Sequence, residues 1–182
     1  MLEGKTINLR AREKEDLPLF AEWLSNLDFL GEYSGIRQTS KSDVEKMDEE
    51  EKPHEMKDFF IEKKDGTKIG LISHFYVLHP AARQLEIGYS ILPNERKKGY
   101  CTEAANIIVD YLFLSKNSTR IQACTDTRNL ASQKVLENAG FKKEGTLRKC
   151  HFARGEWRDW LIFSILREEW TQPKILTKNP QK

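Results

Sequence analysis

The stretch that determines the fold reads Glu95-Arg96-Lys97-Lys98-Gly99-Tyr100-Cys101-Thr102-Glu103. An alternating, strand-like run over residues 85–92 leads into it, and a long apolar run over residues 104–114 follows it. This order predicts a strand, a basic glycine loop and a helix. The start of a helix exposes unpaired backbone N–H groups and the positive end of the helix dipole, so such a loop can bind a phosphate or pyrophosphate.

The side chains of this loop suit an anion. Gly99 would let the backbone approach it closely, Arg96, Lys97 and Lys98 would add positive charge, and Thr102 would add a hydroxyl. An ordinary strand-to-helix turn with solvated lysines would explain the same residues, because one glycine among basic residues is a weak signal. The loop alone therefore leaves both interpretations open.

Several motifs together resemble one family. The spacing Arg96-x-x-Gly99-x-Cys101 resembles the Arg/Gln-x-x-Gly-x-Gly/Ala coenzyme A signature of the GNAT N-acetyltransferases, although Cys101 stands where that family usually has Gly or Ala. Further motifs are similar to the RimJ/RimL branch of that family. They are Asn129-Leu-Ala-Ser132, Gly140-Phe141, Glu144-Gly145 and the late Asp159, so the resemblance spans roughly residues 5 to 167.

The resemblance implies an α/β fold, called α+β in some schemes. We expect a mixed, mostly antiparallel sheet of about six or seven strands, flanked by helices and split near the coenzyme. It also implies acetyl-CoA as cosubstrate and direct, sequential transfer of an acetyl group to a primary amine. The residues expected at the coenzyme are Ile91, Leu92, Arg96, Lys97, Lys98, Gly99, Tyr100, Cys101, Thr102, Asn129 and Ser132.

The acceptor amine must lose a proton, because lysine amines titrate near about 10.4 and α-amines near about 8. Glu86 is the candidate base, since Glu86, Gly88 and Ser90 share one face of the strand that feeds the loop. The opposite face carries Leu85, Ile87, Tyr89 and Ile91. A surface glutamate in a salt bridge is the alternative. His74, His79 and His151 could act chemically, but such histidines are more often structural.

Besides the coenzyme site and the base, acetyl transfer requires a site that stabilises the oxyanion and a general acid for the leaving thiolate. The resemblance implies that backbone N–H groups around residues 90–92 stabilise the oxyanion. Many family members have a tyrosine four residues before the glycine of Gly-Phe as the acid, but that position is Leu136. We therefore expect Ser132 to protonate the leaving thiol. Asn129 as a helix cap with Ser132 in the first turn would need no coenzyme, and the thiolate could also take a proton from water or from the acetylated amine.

Composition bounds the remaining choices. The chain has 182 residues, 38% hydrophobic and 32% charged, which suits one domain, and we assign residues 1–170 to it and 171–182 to a polar tail that is disordered or loosely docked. A net charge of +2 is too mild to predict nucleic-acid binding. No apolar run is long enough for export or membrane spanning, so we expect a cytoplasmic protein. Three cysteines without ligand spacing predict neither a metal site nor disulfides.

Periodicity and turn residues predict the other elements. Residues 28–42 lack a clear period and are assigned to a loop, and Ser42-Asp-Val-Glu45 is typical of a capping box that starts a helix to about Lys52. Strands are expected over residues 6–10, 57–63, 68–77, 84–92, 119–126, 144–152 and 157–166, and further helices from Glu15, over residues 103–114 and from Asn129 to Gly140.

The acceptor stays open at this stage. RimJ/RimL-like enzymes acetylate protein amino termini, notably of ribosomal proteins, while related enzymes acetylate polyamines, amino-acid conjugates or antibiotics. The run Asp48-Glu49-Glu50-Glu51 could attract a cation or could be a solvated helix face. A catalytically silent acetyl-CoA sensor is an alternative that Cys101 and the missing tyrosine favour, and a nucleic-acid-associated protein is a second. We expect a monomer or homodimer.

Overall fold

The computed structural model describes residues 1–36, 38–50, 56–79 and 82–176, and these form an eight-stranded sheet in the order β1-β2-β3-β4-β5-β6-β8-β7. All neighbouring strands are antiparallel except β5 and β6. The strands are β1 Leu2–Glu3, β2 Ile7–Ala11, β3 Met56–Lys63, β4 Lys68–His79, β5 Ala82–Ile91, β6 Arg120–Asp126, β7 Lys142–Ala153 and β8 Glu156–Leu166. The predicted fold class is confirmed, with one strand more than expected because Leu2 and Glu3 pair with β2.

The helices are α1 Leu17–Ser25, α2 Leu27–Leu30, α3 Lys41–Glu50, α4 Tyr100–Ser115 and α5 Leu130–Ala139. Residues 28–42 are therefore not all loop. The side chain of Asn26 accepts hydrogen bonds from the first N–H groups of α2, but a helix of four residues is too short to show a period in the sequence.

The capping box of α3 was also assigned wrongly. The Ser40 hydroxyl accepts a hydrogen bond from the N–H of Asp43 at 3.1 Å, and the Asp43 carboxylate accepts one from the N–H of Ser40 at 2.9 Å. The box is thus Ser40 with Asp43 rather than Ser42 with Glu45, and the helix begins at Lys41. The predicted end near Lys52 lies outside the described residues.

Helices cover both faces of the sheet. On one face, α4 buries Ile107, Ile108 and Leu112 against Leu85 and Ile121 of the central strands. On the other face, a second buried cluster joins α1, α2 and α3 to β3 and β4 and comprises Leu17, Phe20, Ala21, Trp23, Phe29, Val44, Phe60 and Leu71. Each fully buried aliphatic or aromatic side chain contributes roughly 1.5–3 kcal/mol.

The sheet divides between β5 and β6. In the described residues, these parallel strands pair only at Leu85 with Ile121 and at Glu86 with Gln122. Beyond Glu86, β5 continues its pairing with β4 as far as Ile91, while β6 continues its pairing with β8. A wedge therefore opens between the carboxyl ends of the two strands, at the place where the sequence predicts a split.

The polar tail is docked through Leu176. Asp110 of α4 is 1% exposed, and its carboxylate accepts hydrogen bonds from the Trp170 indole at 2.8 Å and from the N–H groups of Lys174, Ile175 and Leu176 at 3.1, 2.7 and 3.0 Å. The expectation of a disordered or loosely docked tail is wrong for this segment, because a buried carboxylate needs several donors. Within the described residues, no helix combines the length and apolarity needed to cross a membrane.

Candidate active site

The basic glycine loop forms an anion cradle at the start of α4. Gly99 precedes the helix in the left-handed conformation with φ of 86°, which glycine adopts without steric strain. No side chain caps the helix start, so the N–H groups of its first turn keep free donors. A Cβ added at Gly99 would meet no atom within 4 Å, so the backbone here faces open space. The cradle fits a phosphate group.

The three cations of the loop have different partners. The Arg96 guanidinium donates to the carbonyl oxygens of Asp28 at 2.6 Å and Ile91 at 3.3 Å, and therefore ties α2 to the loop. Lys98 lies 2.9 Å from the Glu95 carboxylate, which also binds Lys63 at 2.6 Å. Lys97 is exposed and makes no ion pair with a described residue. Of the three, Lys97 keeps its charge most available to an anion.

The cradle continues into a groove of about 830 Å³ between β5, α4 and α5. The groove brings together the following predicted coenzyme residues: Ile91, Arg96, Lys97, Lys98, Gly99, Tyr100, Cys101, Thr102, Asn129 and Ser132. It does not include Leu92, whose side chain packs on the second buried cluster and whose N–H donates to the Ile69 carbonyl at 2.9 Å. Leu92 follows the last residue of β5, and its side chain contributes to the second buried cluster rather than to the groove.

A hydroxyl pair lies on the wall of this groove. The side-chain oxygen of Asn129 accepts the N–H of Ser132 at 3.1 Å and caps α5. The Ser132 hydroxyl lies 2.9 Å from the Tyr89 hydroxyl, which reaches it from β5. The sequence places Tyr89 on an aliphatic strand face and gives it no role. The tyrosine hydroxyl on an otherwise aliphatic strand face could have indicated a role, because a buried tyrosine hydroxyl usually has a hydrogen-bond partner.

A second cavity, of about 1000 Å³, adjoins the groove. Glu86, Gly88 and Ser90 line it from β5, while Tyr89, Ser90 and Tyr33 line both spaces. The Glu86 carboxylate accepts a hydrogen bond from the Gln122 amide at 2.7 Å and makes no ion pair with a described cation. Burial raises the pKa of Glu86, while the Gln122 bond opposes that effect. A carboxyl group with a raised pKa is a better base near neutral pH.

Comparison with known proteins identifies the family of this chain. A family model described as an acetyltransferase (GNAT) domain matches residues 6–142. The chain belongs to the GNAT acetyltransferase family.

Individual relatives agree with this assignment. The probable N-acetyltransferase YjcK of Bacillus subtilis is 35% identical over 181 residues, which cover 93% of this chain and 98% of YjcK. RimJ of Mycobacterium smegmatis, solved with CoA-disulfide, superposes with a TM-score of 0.79 at 26% identity over 92% of this chain and 85% of RimJ. The ribosomal-protein-S5-alanine acetyltransferase of Vibrio fischeri gives 0.79 at 26% identity over 93% and 97%. The predicted enzyme class, an N-acetyltransferase of the RimJ/RimL type, is confirmed.

His74, one of the alternative bases, lies outside the site. His74 is 4% exposed and packs between the rings of Phe59 and Tyr111, away from the cavity. Burial lowers the pKa of His74 to about 4, and Lys116 and Lys57 act in the same direction. His151 lines the cavity, with its ring 4.4 Å from that of Trp160. The side chain of His79 lies outside the described residues, as do those of Asp48, Glu49, Glu50 and Glu51.

The positions that depart from the GNAT pattern have structural explanations. Leu136 is fully buried in the main core, so this site replaces the usual tyrosine with a packing residue. Burial raises the pKa of the Cys101 thiol to about 12, which keeps the thiol protonated and a weak nucleophile. Asp159, which matches the RimJ/RimL pattern, accepts the N–H of Lys149 at 2.8 Å within the β7–β8 hairpin.

Asp58 is a cavity residue that the sequence reading missed. It is 7% exposed, its carboxylate lies 3.4 Å from Arg12, and it accepts a hydrogen bond from the Ser73 hydroxyl. Burial raises the pKa of Asp58, and Ser73 and Arg12 oppose that effect. Its strand also carries Lys57, Glu62 and Lys63, so no local pattern distinguishes Asp58 as a cavity residue.

Proposed function

We propose that this GNAT enzyme moves an acetyl group from acetyl-CoA directly to a primary amine, with the coenzyme in the groove and the amine in the adjoining cavity. The observation that carries the proposal is the shared wall of the two spaces at Tyr89 and Ser90. An acceptor in the cavity can therefore approach a thioester in the groove without a covalent enzyme intermediate. No metal ion takes part in the proposal.

The chain's own groups would hold the coenzyme. The first-turn N–H groups of α4, the left-handed Gly99 and the charge of Lys97 suit the pyrophosphate. Thr102 lies in the same cradle, and Asn129 and Ser132 line the groove farther on, beside the wedge between β5 and β6. Arg96 supports this arrangement indirectly, by fixing α2 against the loop.

Glu86 is the proposed base. When bound, acetyl-CoA supplies the acetyl group as a thioester, and the amine must be neutral to react with it. Glu86 would take a proton from the ammonium group, directly or through water, and pass it to solvent. Gln122 holds the carboxylate in the cavity by its 2.7 Å hydrogen bond. The absence of an ion pair with any described cation leaves the Glu86 carboxylate free for this task.

The wedge supplies the proposed oxyanion donor. The N–H of Leu92 points toward β4, since it donates to Ile69. Backbone N–H groups alternate between the two edges of a strand, so the N–H of Ile91 points toward the wedge. There, within the described part of the chain, β5 has no strand partner on that side beyond Glu86. Ile91 is thus the donor that we propose for the developing negative charge.

The acceptor class follows less directly from the site. The similarity to a ribosomal-protein-S5-alanine acetyltransferase supports a protein amino terminus, and a small amine is the second candidate. The cytoplasmic location and the monomeric or homodimeric state expected from the sequence belong to this proposal as well. The alternative of a silent acetyl-CoA sensor draws its remaining support from Leu136.

The test is isothermal titration with acetyl-CoA, followed in the same preparation by a free-thiol release assay. The acceptor panel contains peptides with free amino termini, polyamines and aminoglycosides. We expect micromolar binding, and thiol release with one class of amine. Binding without release on any acceptor would favour the sensor, and a lack of binding would contradict the cradle.

A further inference from the structure

The Tyr89 hydroxyl lies where the two cavities meet. Tyr89 is partly buried, its ring packs against the main core, and it lines both the groove and the acceptor cavity. Its hydroxyl oxygen is 2.9 Å from the Ser132 hydroxyl and 3.2 Å from the Ser132 carbonyl oxygen. Residues 43 positions apart are thus joined across the mouth of the wedge.

The hydrogen-bond inventory of this pair restricts where each proton can point. The Ser132 carbonyl can only accept, so a bond to it uses the Tyr89 proton. When Tyr89 donates to the Ser132 hydroxyl oxygen instead, the Ser132 proton is free to point into the groove. The side-chain oxygen of Asn129 accepts the backbone N–H of Ser132 at 3.1 Å, and its contact with the serine is through that N–H rather than the hydroxyl. One orientation of the pair therefore presents a serine proton to the groove.

We propose that Tyr89 is a positioning residue that orients and polarises the Ser132 hydroxyl, so that Ser132 protonates the sulfur that leaves during acetyl transfer. This inference rests on the proposed function. It gives the site the acid function that the usual tyrosine has in other family members, since Leu136 occupies that position in the core.

The proton and electron balance is closed. A C–N bond forms, the C–S bond breaks, and the sulfur keeps the electron pair of that bond. The acceptor nitrogen loses two protons by way of Glu86 and solvent. One proton moves from the Ser132 hydroxyl to sulfur while the Tyr89 proton moves to Ser132, and water restores the proton of the phenol. One proton is released overall.

Tyr89 suits this task better than serine alone. The ordinary pKa of a phenol is about 10 and that of a thiol is about 8.5, so the phenol is much closer to the thiol in acidity than an aliphatic hydroxyl is. Burial raises the pKa of Tyr89, which narrows this advantage, while the hydrogen bond with Ser132 opposes the rise. The phenol therefore stays protonated at neutral pH and can donate to Ser132.

The experiment compares Tyr89→Phe, Ser132→Ala and the double variant with the matched control Tyr111→Phe. Tyr111 lies on α4, packs on Phe59 and lines neither cavity. Steady-state kinetics give kcat and KM for acetyl-CoA. Difference ultraviolet absorbance of the thiolate, with and without coenzyme A, gives the pKa of the bound coenzyme thiol, which needs no acceptor amine.

We expect Tyr89→Phe to lower kcat about 10- to 100-fold with KM for acetyl-CoA within about threefold, because proton transfer by a side chain contributes at least that much. The bound thiol pKa should rise by about 1 unit in Tyr89→Phe and in Ser132→Ala, since both lose a donor to the thiolate. The double variant should be no slower than the slower single variant, because the two residues act as one unit.

A Tyr89→Phe enzyme that matches Tyr111→Phe within twofold in kcat and in bound thiol pKa would overturn the inference. So would multiplied losses of kcat in the double variant. If none of the acceptor amines gives thiol release with the parent enzyme, the proposed function fails. The titration of the bound coenzyme A thiol still decides whether Tyr89 acts on the sulfur.

Discussion

The Arg96 guanidinium in the basic glycine loop lies 2.6 Å from the carbonyl oxygen of Asp28 in α2, which is 68 residues earlier in the chain. From the other side, Arg154 donates to the Gly31 carbonyl at 3.0 Å and Arg158 to the Glu32 carbonyl at 2.9 Å. The segment 28–34, of which Phe29, Leu30, Tyr33 and Ser34 line both cavities, is therefore held between the basic glycine loop and the last hairpin.

Arg96 and Lys97 should consequently affect different substrates. We expect Arg96→Ala to raise KM for the acceptor about tenfold while the Kd for acetyl-CoA changes less than threefold, because α2 loses its anchor. Lys97→Ala should instead raise the Kd for acetyl-CoA and leave KM for the acceptor nearly unchanged, since a charged hydrogen bond contributes about 1.5–3 kcal/mol. Steady-state kinetics with each substrate varied, together with calorimetric titration, measure both effects. Equal losses of acetyl-CoA affinity in the two variants would contradict this division of roles.

Gly99→Asp should abolish measurable acetyl-CoA binding. The substitution places a carboxylate in the anion cradle and forces a non-glycine residue to φ of 86°, which costs about 1–2 kcal/mol. Gly155→Asp is the matched control, because Gly155 also has a positive φ, of 83°, and open space around it, but lies in the β7–β8 turn. Calorimetric titration should show full affinity in the control. Retained affinity in Gly99→Asp would refute the cradle.

Glu86→Gln should lower kcat about 100-fold and leave the Kd for acetyl-CoA nearly intact. The base works only when ionised, so kcat of the parent enzyme should fall as the pH drops through the raised pKa of Glu86. That acid limb should be missing in Glu86→Gln. Gln122→Leu removes the hydrogen bond that opposes the pKa shift, so its limb should move to higher pH. A pH profile that is the same in all three enzymes would exclude Glu86 as the base.

Asp110→Asn should destabilise the fold by about 2–3 kcal/mol and lower Tm by roughly 5–10 °C. The asparagine side chain brings its own N–H donors toward four donors that now share a carboxylate, so some are left unpaired. Glu137→Gln on the exposed face of α5 is the control and should change Tm by less than about 2 °C. Thermal unfolding followed by circular dichroism decides; equal Tm values for the two variants would remove the anchor role.

His74 should make the fold sensitive to acid. Its pKa is lowered from 6.5 to about 4 by burial, so the unfolded chain binds more protons than the folded chain between these values. The stabilisation is fully present above pH 6.5 and is lost as the pH falls toward 4, by about 3 kcal/mol. His74→Leu should lack this part of the slope, whatever its absolute stability. Urea titrations at several pH values measure it, and an unchanged slope would argue against the assignment.

Much of the fold could be predicted because its signals are local. The hairpin around Asp65-Gly66, the left-handed Gly99 and Gly140, and the Asn129 cap each follow from chemistry within a few residues. The α2 helix and the Ser40–Asp43 box were missed because their signals are short and compete with several neighbouring serines. The docked tail was missed because its partner, Asp110, lies 64 residues from Lys174 and reads as a polar helix residue.

The candidate site divides in the same way. The basic glycine loop has a local sequence pattern, so the coenzyme residues predicted from it line the groove, except for Leu92. Tyr89, Asp58 and the anchoring role of Arg96 depend on contacts between distant strands and helices. No local pattern distinguishes a tyrosine that packs from one whose hydroxyl meets a serine 43 residues away.

Among the residues that the structure describes, two residue pairs, Leu85 with Ile121 and Glu86 with Gln122, join β1–β5 to β6–β8 by strand pairing. A coenzyme lying in the wedge beyond them would touch both halves, much as a missing strand would. Each tenfold increase of its free concentration above Kd would then add about 1.4 kcal/mol to the free energy of unfolding. The resistance of the two halves to separation would then depend on the fraction of the enzyme that has coenzyme bound.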